Sequence, residues 1–221
     1  MEEKMNKRTI KKHRSMSYFI DATVQIMDEE GMEFVTIRKV SDLAGYNSAT
    51  LYNYFKNLDE LILYASVRHL REYTLDLPNY LKDITDGVDR YYKIWECFLK
   101  HSFLNPEIYN IVFFGKYSTS LNNIIKEYYS IFPEELEDQP QDLLPMLLGS
   151  NLYSRNLALL VNLQNDGYVN KENLGSVNEM TILLYLGMLT KLINTGKEFD
   201  LESTTAITLN YIKQILISYM K

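Results

Sequence analysis

The sequence predicts an all-α protein with two parts, and three observations support that prediction. In most of the chain, apolar residues recur at intervals of three and four, as they do when one face of each helix packs into a core. The 9 glycines and 5 prolines fall mostly between these periodic stretches. No segment alternates polar and apolar residues as a half-buried strand does. We therefore expect a three-helix domain over residues 1–65 and a helical bundle over residues 66–221.

The predicted helices follow one another along the chain with clear stops. The first spans residues 15–30 and ends at Gly31, and another runs from residue 59 to residue 77 and ends at Pro78. The others span residues 86–103, 107–131, 143–165, 177–194 and 203–220. Residues 133–142 form an acidic loop between two of them, where Glu134 and Glu135 are expected to be solvated.

The two closing helices each carry two apolar stripes. Such a helix lies either in the centre of a domain or against a second chain. We expect an interface between two subunits here, formed by Leu183, Leu186, Leu189, Ile193, Ile207, Tyr211 and Ile215.

Composition narrows the class of protein. The chain has 221 residues, 46% of them hydrophobic, which is typical of a folded domain. No apolar run approaches the roughly 20 residues of a membrane-spanning helix, and the charged N-terminus has no signal-peptide core. Cys97 is the only cysteine, and the three histidines are scattered along the chain. We therefore expect a cytoplasmic protein that has no disulfide, no metal site and no cofactor.

Charge is distributed unevenly. The net charge is −6, yet residues 1–14 contain six Lys and Arg against two Glu. Residues 57–221 contain fourteen Lys and Arg against twenty-one Asp and Glu. A basic segment on an acidic body is typical of a protein that meets phosphates at one end. The alternative interpretation is a solvated, disordered N-terminal tail.

Residues 36–55 have the pattern of a helix-turn-helix. Two short helices, each preceded by a capping residue, are separated by a glycine suited to a left-handed turn. The residues that form this pattern are Thr36, Ile37, Val40, Leu43 or Ala44, Gly45, Asn47, Leu51 and Phe55. The alternative is an ordinary helical hairpin with a capped turn.

Such a unit presents the start of its second helix to the DNA major groove. Small and hydrogen-bonding side chains there suit base edges, while tyrosine hydroxyls and cations suit phosphates. The predicted DNA-binding residues are Thr36, Arg38, Lys39, Asn47, Ser48, Ala49, Thr50, Tyr52, Asn53, Tyr54 and Lys56.

Residues 12–65 resemble the TetR family of bacterial repressors. The residues that carry the resemblance are Gly31, Thr36-Ile37, Val40, Ala44-Gly45, Thr50-Leu51-Tyr52, Tyr54-Phe55 and Asp59-Glu60-Leu61. The resemblance implies that Tyr52 and Tyr54 contact phosphates, and that Arg38, Ser48, Ala49, Thr50 and Asn53 read bases. It also implies that residues 1–65 form the DNA-binding domain and that residues 66–221 form a domain that binds a small effector and dimerises. In that domain, the last two helices of each subunit form a four-helix dimer interface.

Four positions depart from the family pattern. Ser41 stands in place of the usual alanine, Tyr46 in place of a small aliphatic residue, and Lys39 in place of an acidic or amide residue. Leu58 replaces a lysine that contacts phosphate, a role that Lys56 or the basic N-terminal segment is expected to fill.

Large aromatic side chains are concentrated between residues 91 and 129, where they suit either a ligand pocket or a packed core. The predicted effector-binding residues are Trp95, Phe98, His101, Tyr109, Phe113, Tyr117, Tyr153 and Asn156.

The sequence as a whole predicts a homodimeric repressor that binds a near-palindromic DNA operator and is released by a small apolar or aromatic effector. The alternative, motivated by Leu58 and the acidic body, is a dimeric helical ligand- or partner-binding protein that has lost DNA recognition. No enzyme is expected, because the sequence has no phosphate-binding glycine loop, zinc-protease motif or nucleophile elbow.

Overall fold

The computed structural model describes residues 6–115, 121–196 and 199–221, and these ranges are helical apart from short turns and one isolated bridge between Val169 and Met220. The α-helices are α1 (Lys7–Glu29), α2 (Ile37–Ala44), α3 (Ser48–Leu51), α4 (Leu58–Arg68), α5 (Leu70–Leu81), α6 (Gly87–Leu104), α7 (Pro106–Phe114), α8 (Leu121–Ile131), α9 (Leu144–Leu147), α10 (Leu152–Asn165), α11 (Leu174–Thr195) and α12 (Leu201–Ile217). The all-α prediction is confirmed.

Helices α1 to α4 form a small unit, which we call the head. Helix α1 packs against α2 and α4, and α2 packs against α3. The apolar residues that hold these helices together, Phe19, Val40, Leu51 and Phe55, are completely or almost completely buried. The ring of Phe55 meets those of Phe19 and Tyr64 edge-on, with centroids 6.1 and 5.5 Å apart. Residue 65, the expected domain boundary, lies within α4.

Helix α1 begins eight residues earlier than the apolar periodicity predicts. Asn6 caps it by accepting the backbone N–H of Arg8 at 3.1 Å, so the basic segment from Lys7 onward is helical. The alternative of a disordered tail is therefore wrong for the described part of this segment. The cations of residues 7–14 lie on the first two turns of a helix that is anchored in the head.

Helices α5 to α12 form the body. Helix α6 packs against α5 and α12, and α11 packs against α10 and α12. None of the helices in the described ranges is long and apolar enough to cross a membrane. The head meets the body where α4 packs against α7 and α8, and where α1 packs against α8.

Two of the long helices predicted in this region are in fact pairs of helices. The helix predicted over residues 59–77 is divided at His69 into α4 and α5. The helix predicted over residues 107–131 is divided after Phe114, because Gly115 leaves the helical conformation with a ψ of 165°.

A third predicted helix, over residues 143–165, is divided into α9 and α10. Asn151 starts α10 through a capping box with Ser154, which a continuous helix would not allow. The carbonyls left free at the end of α9 accept hydrogen bonds from the buried guanidinium of Arg155, which donates to Leu147 at 2.8 Å and to Gly149 at 3.2 Å. A side chain thus satisfies the groups that the break exposes.

Pro78 lies inside α5 instead of ending it. Proline has no N–H, so the carbonyl of Thr74, one turn earlier, loses its helical partner. The side-chain amide of Gln139 donates to that carbonyl at 2.8 Å, and Gln139 is itself buried. Gln139, which is 61 positions from Pro78 in sequence, therefore replaces the hydrogen bond that the proline removes.

We expect Gln139→Leu to lower the free energy of unfolding by about 1 kcal/mol, because it leaves the buried carbonyl of Thr74 without a donor. In a Pro78→Ala background, which restores the backbone N–H, the same substitution should lower the free energy of unfolding by clearly less. Urea unfolding of the four proteins measures this coupling. Equal costs in both backgrounds would show that Gln139 does not compensate for Pro78.

Candidate DNA-binding face and effector cavity

Two caps and a glycine fix the turn between α2 and α3. The hydroxyl oxygen of Thr36 accepts the backbone N–H of Lys39 at 3.3 Å, and the amide oxygen of Asn47 accepts that of Thr50 at 2.9 Å. Gly45 adopts a φ of 76°, a left-handed conformation that glycine reaches without strain. These three predicted features are confirmed. Helix α3 has only four residues, so Asn53 and Tyr54 lie just beyond it.

Tyr46, one of the four residues that depart from the family pattern, packs the turn onto α1. The hydroxyl of Tyr46 lies 3.2 Å from that of Ser15, and its ring lies 5.0 Å from that of Phe19. Ser41 is completely buried, where its small side chain fits. Leu43, one of the two residues considered for the inner face of α2, is exposed, and Ala44 packs against the core instead.

The start of α3 and the residues after it form an exposed face. Ala49, Tyr52 and Asn53 are exposed, and Ser48 and Thr50 are half-buried. The two candidate phosphate-binding tyrosines differ, because Tyr52 is 55% exposed whereas the ring of Tyr54 packs 6.1 Å from that of Phe19. The hydroxyl of Thr50 already donates to Asn47 at 2.9 Å.

The three cations of the predicted DNA-binding set all have acidic partners. The ammonium of Lys39 lies 2.6 Å from the carboxylate of Glu30, and that of Lys56 lies 3.7 Å from the carboxylate of Glu60. The side chain of Arg38 is almost fully exposed, and its guanidinium lies 3.9 Å from the carboxylate of Asp42. A phosphate would therefore compete with a carboxylate at each of the three cations, and least at Arg38, whose ion pair is the longest and the most exposed.

A buried carboxylate joins the head to the body. Glu135, predicted to be solvated, is buried and pairs with Arg68 of α4, whose guanidinium also lies 4.0 Å from the centre of the Phe132 ring. The hydroxyl of Tyr128 donates to the same carboxylate at 2.8 Å. Burial raises the pKa of Glu135, and the hydrogen bond from Tyr128 and the charge of Arg68 offset that rise only in part. The prediction was wrong because a run of acidic residues has the same sequence whether all its side chains are solvated or one of them is buried against a partner.

A second carboxylate makes a similar link at the edge of the junction. Glu127 of α8 accepts a hydrogen bond from Tyr64 of α4 at 2.7 Å and pairs with Lys12 of α1. One of the cations of the basic N-terminal segment is thus used to fix the head on the body.

The body contains a small apolar cavity of about 20 Å³, enough for about one water molecule. It is lined by Tyr73, Ile94, Trp95, Phe98, Met146, Leu152, Arg155, Asn156 and Leu159. The indole N–H of Trp95 donates to the amide oxygen of Asn156 at 3.0 Å, and the amide of Asn156 donates to Asn178 at 2.9 Å.

The predicted effector-binding residues fall into several groups. Trp95, Phe98 and Asn156 line the cavity. Tyr109 and Phe113 belong to the same aromatic cluster, with rings 5.5 and 5.8 Å from that of Phe98. The side chain of His101 meets Asp76 instead, that of Tyr153 is exposed, and Tyr117 lies outside the described residues.

Arg155 is the one charged residue among the cavity residues that the sequence did not indicate. It is only 3% exposed, yet no carboxylate in the described part of the chain lies within ion-pair distance of it. Its contacts include two backbone carbonyls, the hydroxyl of Tyr129 and the ring of Phe113, whose centre is 5.2 Å away. A charged residue beside an asparagine normally indicates a solvated helix face, so the sequence carried no signal for this position.

The two closing helices leave an apolar strip on the surface. Leu183 is 52% exposed, Ile207 46% and Tyr211 43%, and Leu186, Ile193 and Ile215 are half-buried. Leu189, which was predicted to belong to the same interface, is completely buried in the core of its own chain.

Comparison with known proteins supports the family resemblance. Residues 19–65 match the family model for bacterial regulatory proteins of the tetR family. No curated protein matches the chain in sequence.

Solved structures share the fold over nearly the whole chain. A TetR transcription regulator from Haloarcula marismortui ATCC 43049 is 14% identical with a TM-score of 0.58, covering 94% of this chain and 99% of its own. The fatty acid degradation regulator FadR from Bacillus halodurans is 15% identical with a TM-score of 0.54. The match covers 95% of this chain and 96% of that of FadR. Thermus thermophilus FadR, a TetR family repressor in complex with lauroyl-CoA, is 11% identical with a TM-score of 0.57, covering 89% and 92%. At these identities the likeness shows the fold.

We expect Glu135→Gln to lower the free energy of unfolding by about 3 kcal/mol at neutral pH, because it leaves Arg68 without its buried partner. Glu134→Gln, at the exposed neighbouring position, should change stability by less than about 0.5 kcal/mol. Urea unfolding measures both. Similar small effects for the two variants would mean that the buried pair does not stabilise the junction.

Proposed function

We propose that this chain, whose residues 19–65 are of the tetR family of bacterial regulatory proteins, is a DNA-binding transcriptional repressor that acts as a homodimer and is released by a small effector. The observation that carries the proposal is the exposed face at α3, built from small and hydrogen-bonding side chains on a rigidly capped turn. The basic first turns of α1 and the acidic body favour phosphate contact at this end of the molecule only.

We assign base reading to Arg38 on the first turn of α2, to Ser48, Ala49 and Thr50 on α3, and to Asn53 just beyond α3. Tyr52 is the better phosphate ligand of the two tyrosines because it is 55% exposed. Tyr54 can offer only its hydroxyl, since its ring packs on Phe19. Thr36 and Asn47 position the two helices, and Lys39 and Lys56 add phosphate contacts once DNA competes for them with Glu30 and Glu60.

We propose that the second copy of the chain covers the apolar strip on α11 and α12. Gly187 supports this, because it lies exposed on α11 and a Cβ there would meet no atom within 4 Å. A bare backbone allows a partner helix to approach closely. The heads of such a dimer would meet half-sites about one helical turn apart. Sedimentation equilibrium should give twice the chain mass, and the mass of a single chain would exclude this dimer.

We propose that residues 66–221 bind the effector at the cavity beside Trp95, and that the effector has an apolar body and an anionic group. Apolar side chains line most of the cavity, whereas Arg155 is a buried cation that lacks a carboxylate partner among the described residues. Buried charges are rarely left unpaired, so a ligand carboxylate or phosphate suits this position. Because the cavity holds about 20 Å³, an effector must enlarge it on binding. The complex of Thermus thermophilus FadR with lauroyl-CoA is consistent with this chemistry.

The second candidate function is a dimeric ligand- or partner-binding protein that has lost DNA recognition. The observation that favours it is the neutralisation of Lys39 and Lys56 by adjacent carboxylates, together with Leu58 at the start of α4. The DNA-binding test below separates the two candidates.

We expect the purified chain to shift DNA from its own upstream region in a gel at about 100 mM salt, and the double variant Tyr52→Phe, Tyr54→Phe to bind at least about tenfold more weakly. Each lost hydroxyl removes a hydrogen bond to a charged phosphate, worth about 1 kcal/mol or more. Tyr153→Phe, an exposed tyrosine on α10, is the control and should bind like the wild type. A sequence-independent shift or none would support the second candidate.

We expect effector binding to change the fluorescence of Trp95, which is the only tryptophan and lines the cavity. Laurate should bind at least about tenfold more tightly than 1-dodecanol, a difference of about 1.4 kcal/mol, because only laurate pairs with Arg155. Arg155→Gln should abolish that preference, whereas Arg90→Gln, which removes a surface arginine paired with Asp142, should leave it intact. Equal binding of the acid and the alcohol by the wild type would contradict the assignment.

A further inference from the structure

The side chains of Asp76, Cys97 and His101 converge between α5 and α6. Cys97 and His101 are four residues apart on α6 and therefore share a face. Asp76 lies opposite on α5, which packs against α6. One potential ligand atom from each residue lies within 4.8 Å of the other two. The sequence alone could not indicate this, because Asp76 joins the other two only through helix packing.

We propose that Asp76, Cys97 and His101 bind a zinc ion, with water as the fourth ligand. One sulfur, one imidazole nitrogen and one carboxylate oxygen form a donor set that suits borderline-soft Zn²⁺ and does not suit Mg²⁺ or Ca²⁺, which prefer oxygen alone. Ligand atoms around a tetrahedral zinc lie roughly 3.3–3.8 Å apart, given bonds of about 2.0–2.3 Å. The imidazole Nε2 of His101 and the carboxylate Oδ2 of Asp76 are already 3.2 Å apart.

The surroundings of the three ligands suit an ion. The second oxygen of Asp76 accepts a hydrogen bond from the amide of Asn79 at 3.3 Å, which orients the carboxylate as outer partners do at metal sites. The sulfur of Cys97 has only a long contact, 4.0 Å to the carbonyl of Tyr73, so no strong bond competes for it. The side chains of Asp76 and His101 are 37% and 18% exposed, which leaves a solvent side for water and for entry of the ion.

The charges around the three ligands are also compatible with zinc. A zinc ion bound here would deprotonate the Cys97 thiol, because a coordinating thiol loses its proton to the metal. The nearby ammonium of Lys100 is partly neutralised by Glu96, at 3.6 Å. A site of this kind would tie α5, which follows the head directly, to α6 at the centre of the body.

Cobalt(II) titration of the full-length protein tests the proposal. We expect one equivalent per chain to produce visible d–d bands of tetrahedral intensity and a near-ultraviolet charge-transfer band from the thiolate, and zinc to abolish both. Cys97→Ser should lose the charge-transfer band. Cys97→Ser, His101→Gln and Asp76→Asn should each weaken zinc binding at least tenfold in competition with a chelator. Zinc should also raise the melting temperature of the wild type and not of these variants.

His69→Gln is the matched control, because His69 also lies near a carboxylate, 3.7 Å from Asp28, but has no cysteine beside it. It should bind cobalt and zinc like the wild type. Circular dichroism establishes that each variant is folded, and His101→Gln, at a partly exposed position, keeps the test decisive if Cys97→Ser unfolds. Absence of the thiolate band in the wild type, its persistence in Cys97→Ser, or equal loss of zinc affinity in His69→Gln would overturn the proposal.

Discussion

Glu135 lies where the head meets the body, and its buried carboxylate receives both the guanidinium of Arg68 and the hydroxyl of Tyr128. Removing a carboxylate from water is costly, and the cost is repaid only if every partner stays in place. Arg68 is the last residue of α4 and also lies 3.4 Å from Asp21 of α1. This buried cluster of charges therefore ties the head to the body at the centre of their junction, beside the helix packing and the link at Glu127.

The same cluster lies close to the proposed effector cavity along the chain. Helix α5 begins two residues after Arg68, and its Tyr73 lines the cavity. Since the cavity is small, a ligand that enlarges it must move the helices that surround it, and α5 is one of them. Movement of α5 would act directly on the residues that hold the head. The contacts of α5 with α4, and of α4 with α1, thus connect the cavity to the head.

Breaks in the helices create several of the features on which this arrangement depends. The interruption between α9 and α10 leaves carbonyls that Arg155 satisfies, which brings a cation into the apolar interior. Pro78 leaves a carbonyl that Gln139 satisfies, and this ties the loop before α9 to α5. In both cases a local disruption of backbone hydrogen bonding is compensated by a polar side chain from elsewhere, as buried backbone groups require.

The sequence by itself determined the helical class, the turn at Gly45, the caps at Thr36 and Asn47, and the face of α3, because these follow from local backbone preferences and the periodicity of apolar residues. It could not show where the long helices divide, since the divided segments keep a helical pattern on both sides of each break. The burial of Glu135 and Arg155 and the meeting of Asp76 with Cys97 and His101 were decided only by tertiary structure. Whether a charged side chain is solvated, paired or available to a ligand depends on neighbours that are distant in sequence, and only the packing of the helices brings those neighbours together.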